Sequence, residues 1–259
     1  MKIKFLKSKG QYVLKDRTIL TRILRYAEIK SKDVVLEVGC GTGSLTRFLL
    51  RKAKKVYGIE IDKRFIRFLS KKFKKEIEEG RFELIHGDAL KIKFPCFNKF
   101  VSNIPYQISS PLTFKLLKHD FEVAVVTYQK EFAERLVASP GSKNYGRLSV
   151  ITRAYCKAEI LEMVPSTAFL PTPKVTSAIV KIVKAPQIKV KNLEIFEDLV
   201  KFAFTMRRKK FGKILDRWCK LRKMKVKIPK ELEELRPDAI SPEIFAEIAD
   251  KITKNTQKA

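Results

Sequence analysis

A chain of 259 residues, 45% of them hydrophobic, is long enough for one large domain and a small one, and too apolar for wholesale disorder. Lys and Arg number 56 against 28 Asp and Glu, and the formal charge of +28 points to a polyanionic partner, nucleic acid ahead of a membrane surface. Four scattered cysteines (Cys40, Cys96, Cys156, Cys219) with no Cys-x-x-Cys pair argue against a zinc site or a disulfide framework, and no apolar run reaches the roughly 18 residues of a membrane span.

The opening "MKIKFLKSKG" is basic but leads into no apolar stretch, so a secretory signal is not expected; a soluble protein of a reducing, cytoplasmic compartment is. "VVLEVG" (34–39) reads as a buried strand ended by glycines, and "SLTRFLLRK" (44–52) as a helix with Leu45, Phe48 and Leu49 on one face. "KVYGIEI" (55–61) is a second strand. Asp62 then caps a helix whose apolar stripe is Phe65, Ile66, Leu69 and Phe73. "RFELIHGD" (81–88) and "KFVSN" (99–103) are further strands, and Ser109-Ser110-Pro111 opens a helix. A fifth strand, "FEVAVVTY" (121–128), precedes the helix "KEFAERLVA" (130–138). Two more strands, "AEILEMV" (158–164) and "KVTSAIVKIV" (174–183), flank the Pro-rich "FLPTPK". Alternating strands and helices predict an α/β fold, a Rossmann-like parallel sheet with helices on both faces. The character changes near Ala185-Pro186, which divides a catalytic domain (1–185) from a small, helical, basic domain (186–259).

In such a sheet, ligands bind past the carboxyl ends of the strands. "EVGCGTGS" (37–44) lies there. Neither frame of the dinucleotide fingerprint G-x-G-x-x-G fits it, because its last position falls on Ser44 or Thr46. What remains is Glu-x-Gly-x-Gly-x-Gly, the form found in S-adenosylmethionine methyltransferases. Glu60 closes the second strand and can accept hydrogen bonds from ribose hydroxyls. Asp88 follows the third strand and can take an adenine amine, although a Gly-Asp turn is the plainer reading.

"NIPY" (103–106) follows the fourth strand. The residue before a proline is pushed to extended geometry, so the Ile104 carbonyl is held outward beside the Asn103 amide. Two acceptors can grip the two hydrogens of an exocyclic amine, and Tyr106 can stack on its ring, worth roughly 1–3 kcal/mol. No strong base is needed, which suits a chain whose two histidines, His86 and His119, read as structural or surface residues.

Together these motifs resemble the rRNA adenine N6,N6-dimethyltransferase (KsgA-like) family, archaeal branch. "GQYVLKD" (10–16), "VLEVGCGTGSLT" (35–46), "GIEID" (58–62), "GDAL" (87–90), "NIPYQISSPLTFKLL" (103–117), "YGRLSV" (145–150), "FLPTPKVTSAIV" (169–180) and "FTMRRKKFGKIL" (204–215) carry the resemblance over most of the chain. It implies S-adenosyl-L-methionine as cofactor and two adjacent adenosines in the 3′-terminal stem-loop of small-subunit rRNA as target. Carried onto this sequence, the cofactor contacts are Gln11, Tyr12, Leu14, Gly39, Gly41, Glu60, Asp88 and Asn103, and the base pocket is Asn103, Ile104, Pro105, Tyr106 and Phe169. Phe169 is then expected to sandwich the base opposite Tyr106. Where the family usually has "GQNFL", this chain has Tyr12 and Val13, which alters any side-chain contact at position 12.

Residues 201–227 hold twelve Lys or Arg and one acid, Asp216, which reads as an RNA-backbone surface. The implied partner is small-subunit rRNA or its precursor particle, met by a monomer with no membrane attachment and no metal. Two alternatives stay open: an adenine methyltransferase acting on large-subunit rRNA or DNA, and a ribosome-assembly factor whose catalysis is secondary.

Overall fold

The computed structural model describes residues 11–254, so "MKIKFLKSKG", including Gly10 of the first motif, lies outside the described residues. The chain forms two compact units. The first takes residues up to Ala133 together with Ala158–Lys184, and the second takes Glu134–Lys157 together with residues from Ala185 onward. The last crossing falls where the sequence changes character. The earlier two hand the largely helical segment Glu134–Lys157 to the second unit.

In chain order, the first unit runs β1 (Val13–Leu14), α1 (Arg17–Tyr26), β2 (Val34–Val38), α2 (Ser44–Leu49), β3 (Lys55–Glu60), α3 (Lys63–Lys72), α4 (Lys74–Glu78), β4 (Phe82–His86), β5 (Lys99–Asn103), α5 (Ser109–Leu117) and β6 (Val123–Gln129). Then α6 (Lys130–Val137) leads out, and β7 (Lys157–Val164), β8 (Phe169–Leu170) and β9 (Ser177–Val183) complete it. The main sheet has the order β4-β3-β2-β5-β6-β9-β7. Its first five strands in that order are parallel, and β9 runs antiparallel to β6. The strands read as continuous apolar runs because both faces are covered. Val35, Val56, Val101 and Val125 pack with Ile19, Leu45 and Phe65 on one side, and Leu36, Phe100, Ala124 and Val126 are buried as well.

Helix α1 has a clear local cause. Asp16 accepts hydrogen bonds from the Thr18 and Ile19 amides, and Ile19, Leu20, Ile23 and Leu24 form the buried stripe. Asp62 caps α3 in the same way, over buried Phe65 and Leu69. A small second sheet pairs β1 with β8, setting Val13 opposite Leu170 and Leu14 opposite Phe169.

The second unit is helical: α7 (Arg147–Tyr155), α8 (Leu193–Thr205), α9 (Phe211–Arg222), α10 (Lys230–Glu234) and α11 (Pro242–Lys251), with short strands β10 (Met224–Lys225) and β11 (Thr253–Lys254) paired antiparallel. Its core is aromatic. Phe245 meets Phe204 and Phe211, Phe204 meets Tyr145 edge-on, and the Tyr145 hydroxyl donates to the Ile240 carbonyl at 2.8 Å.

Candidate active site

The order of strands places the site. β3 and β4 extend the sheet on one side of β2, and β5 and β6 extend it on the other, so the chain reverses direction across the sheet between β2 and β5. A crevice opens at such a point, at the carboxyl ends of the two strands. β2 delivers Gly39 there and β5 delivers Asn103. Gly39 has φ of 78°, and a Cβ on it would stand 3.0 Å from Cδ of Pro105. Any side chain there is both strained and pressed against the "NIPY" loop, which is the physical reason for glycine.

The cleft is lined by Gln11, Tyr12 and Leu14 from the β1 segment, by Gly39 and Gly41, by Glu60, and by Asn103 and Pro105. These are most of the residues that the sequence proposed, brought together from four separate stretches. Glu60 is 6% exposed. Its Oε2 accepts from the Gly41 amide and its Oε1 from the Asp62 amide, both at 2.9 Å. One carboxylate thus fixes the glycine loop and the turn after β3, and each oxygen keeps further acceptor capacity toward the cleft. Burial raises its pKa above the usual carboxylate value.

Gln11 is anchored by a 2.9 Å hydrogen bond from its Nε2 to Asp62 Oδ2. Asp62 also pairs with Arg64, which holds the Asp62 carboxyl well below its ordinary range. Sequence reasoning saw Asp62 only as a helix cap. Ile61, 62% exposed on the cleft wall beside Glu60, was missed too. An exposed isoleucine at a strand's carboxyl end, next to a proposed ligand carboxylate, was the available signal.

Asn103 is the most informative residue. Its Nδ2 donates to the Tyr12 carbonyl at 2.8 Å, which fixes which end of the amide faces which way. Its Oδ1 is buried and has no hydrogen-bond partner among the described residues. A buried, unpartnered amide oxygen costs roughly 1–3 kcal/mol, and at the edge of a cleft it is an acceptor open to a ligand. Ile104 is buried just beyond it. Tyr106 opens a short 3-10 turn, its hydroxyl 2.6 Å from Ser177 Oγ, and burial raises its pKa. It is therefore a fixed neutral ring rather than a base.

Four expected residues are not part of the cleft lining: Ile104 and Tyr106, which follow Asn103 in the same loop, and Phe169 and Asp88. Phe169 is fully buried in the core beside Leu14, its partner across the β1–β8 pairing. Asp88 uses Oδ1 to accept from the Leu90 amide at 2.9 Å, a local Asx turn. The following carbonyls of Ala89 and Ile92 are gathered by the Lys115 ammonium. His86 is exposed, and His119 packs on Phe94 and Phe97, as structural residues do.

Below the glycine loop, Glu37 is buried and accepts from Thr46 Oγ1 at 2.6 Å. Desolvation pushes its pKa up to about 8. Between about pH 4.5 and 8 the folded chain then holds a proton that the unfolded chain has lost, so this group's contribution makes stability fall as pH rises through that window. Glu37→Gln should flatten that part of the pH–stability curve and raise the melting temperature at pH 8.5, read by thermal denaturation of the ligand-free protein; an unchanged curve counts against a neutral Glu37.

In the second unit, α9, β10 and α10 border a groove lined by Lys220, Lys223, Lys225, Lys227 and Lys230, with Asp216 and Glu233. Acids from outside the basic run take up part of its charge: Asp198 binds Arg222 at 2.8 Å, Asp238 faces Arg207 at 3.3 Å, and Glu234 pairs with Lys210. The groove lysines after α9 carry the remaining positive field.

Among the described residues, no group of His, Cys, Asp or Glu is placed to hold a metal ion, and no helix is long and apolar enough to cross a membrane. The sequence matches the family model described as ribosomal RNA adenine dimethylase over residues 2–251. It is 48% identical over 250 residues to a probable ribosomal RNA small subunit methyltransferase A of Pyrococcus furiosus, covering 93% of this chain and 89% of that one. The corresponding protein of Methanococcoides burtonii is 42% identical, with 94% and 92% covered. Among solved structures, a dimethyladenosine transferase from Plasmodium falciparum superposes with a TM-score of 0.76 at 37% identity, covering 91% of this chain and 95% of that one. The 23S rRNA methyltransferase ErmE superposes at 0.68 and 29%, covering 92% and 98%. A fold, a cleft at the β2–β5 switch point and a sequence match along nearly the whole length agree: the chain belongs to the ribosomal RNA adenine dimethylase family.

Proposed function

We propose that this protein transfers methyl groups from S-adenosylmethionine to N6 of two adjacent adenosines in the 3′-terminal stem-loop of small-subunit rRNA. The observation that carries this reading is the buried Oδ1 of Asn103, without a partner among the described residues and held at the edge of a glycine-lined cleft.

The residues present fit the cofactor. Gly39 and Gly41, both at positive φ, leave room for a ligand to approach the backbone. Glu60 supplies acceptors for ribose hydroxyls and exposed Ile61 an apolar surface for a base, while Gln11, Tyr12 and Leu14 form the opposite wall. Asp88, although outside the lining, is the proposed acceptor for the cofactor's adenine amine. Bound there, S-adenosylmethionine supplies an electrophilic methyl group.

The chain's own task is to make a poor nucleophile attack. The lone pair of adenine N6 is delocalised into the ring. Asn103 Oδ1 and the Ile104 carbonyl accept the two amine hydrogens and favour the pyramidal nitrogen that forms as the new bond is made, so they act mainly in the transition state. Tyr106, fixed through Ser177, gives the extruded base a stacking face. The proton released from the methylated amine is acidic enough to leave to solvent, so no histidine is recruited. The rRNA substrate supports a cytoplasmic site of action.

The test is transfer of labelled methyl groups to small-subunit particles and to naked rRNA, with the modified nucleotides mapped by primer extension. Label in two neighbouring adenosines of the 3′-terminal loop is the expected result; label confined to large-subunit rRNA or DNA moves the target, and none at all removes the activity. The groove of the second unit should hold the RNA backbone. If its five lysines meet five phosphates, log K against log salt has a slope of about −4; a flat response in filter binding would take the docking role from this groove.

A further inference from the structure

We infer that Lys115 is a positioning residue for the cofactor's adenine, holding the turn that starts at Asp88 so that the Asp88 carboxylate meets the exocyclic amine. This rests on the reading of Asp88 as the adenine acceptor.

Lys115 lies on α5, the helix that follows the "NIPY" loop, and reaches across to the segment after β4. Its ammonium donates to the carbonyls of Ala89 at 2.8 Å, of Leu90 at 3.4 Å and of Ile92. Asp88 closes the opposite end of the same turn. Its Oδ1 accepts from the Leu90 amide, and its carbonyl accepts from the Lys91 and Ile92 amides, each at 2.9 Å. One turn of chain thus carries an acid at its amino end and a cation at its carboxyl end, which suits the partial charges of its peptide groups. Three carbonyls that face one point repel one another, and an ammonium with three donors answers all of them.

The ammonium is itself held in place. It stands 4.2 Å from the centre of the Phe94 ring, and Phe94 is buried and packed on His119. Burial lowers the Lys115 pKa, and the charge of Asp88 opposes that fall, so the two groups support each other across the turn. The turn also folds back on the end of β4: a Cβ on Gly87 would collide with Ile92 Cδ1. The Gly87 amide donates to the Glu60 carbonyl at 2.9 Å, which ties this strand end to the residue proposed to hold the ribose. With Oδ1 engaged in the turn, Oδ2 serves the amine. Without the ammonium the three carbonyls part and Asp88 turns with them. The cleft lining itself comes from other segments, so the loss falls on the adenine end.

Calorimetry on the full chain, with S-adenosylhomocysteine and with its hypoxanthine counterpart that lacks the amine, tests this. Wild type should bind the adenine form about tenfold more tightly or better. Lys115→Met keeps an apolar stem over Phe94 and removes the charge. It should weaken the adenine form about tenfold, leave the hypoxanthine form within about twofold, and so erase the preference. Lys115→Gln should do the same, and Lys115→Arg, which keeps the charge, should retain part of the preference. Melting temperatures show that the variants are folded. A folded Met or Gln variant with the wild-type preference overturns the inference. So does one that weakens both ligands equally, which makes Lys115 a general support of the fold. A wild type without any preference removes Asp88 as the adenine acceptor and this inference with it, while methyl transfer to rRNA by that same wild type leaves the proposed activity standing.

Discussion

Asn103→Ala should lower the single-turnover rate of methyl transfer by about 10²–10³-fold while leaving cofactor affinity within a few-fold of wild type. The size follows from removing one preorganised polar group aimed at the charge that develops in the transition state, worth about 3–4 kcal/mol. The separation of the two readouts follows from the geometry. Asn103 Oδ1 is buried without a partner among the described residues, so its deletion does not break a bond between them. The alanine does remove the Nδ2 bond to the Tyr12 carbonyl, which slackens the wall at Tyr12. Asn103→Asp separates the two effects. It keeps acceptor oxygens for the amine but loses the donor to Tyr12, and it should retain more activity than alanine. Chemical quench with labelled cofactor gives the rate, and calorimetry gives the Kd. An alanine variant with more than a third of the wild-type rate would remove Asn103 from the chemistry.

How far this site can be read from sequence depends on the range of the contacts that build it. The strands β2, β3, β5 and β6 are legible because a strand buried on both faces is a short continuous apolar run, ended here by glycine, acid or Asn-x-Pro. Helix α1 was equally legible and passed unread: Asp16 precedes Ile19, Leu20, Ile23 and Leu24 at helical spacing. The β1–β8 pairing was not legible. It joins Val13 and Leu14 to Leu170 and Phe169 over two-residue strands, too short for any local pattern. Yet it decides that Phe169 is buried and that Tyr12 stands at the cleft. The charge run at 201–227 shows the same limit, because its counterions Asp198, Glu234 and Asp238 come from other parts of the chain. Residue types at strand ends announce chemistry; which ring faces which is settled by partners far away in sequence.

Glu60→Ala and Glu60→Gln should each weaken S-adenosylmethionine binding by about 100-fold or more. Two effects add. The carboxylate loses charge-assisted hydrogen bonds to ribose, worth about 1.5–3 kcal/mol each. It also stops organising the cleft, because Oε2 holds the Gly41 amide and Oε1 the Asp62 amide. Alanine leaves both N–H groups without their acceptor. Glutamine is no conservative change, since its NH2 must face one of those two donors. The disturbance reaches further through Asp62, whose carboxylate accepts from Gln11 Nε2 on the opposite wall and caps α3. Because burial raises the Glu60 pKa, the ionised acceptor is lost earlier than in an exposed glutamate as pH falls, so wild-type affinity should drop on the acid side. Calorimetric titration across pH, with melting temperatures to confirm a folded protein, measures both. A folded Glu60→Gln variant that binds cofactor within threefold of wild type would show that this carboxylate only shapes the loop and that the ribose lies elsewhere.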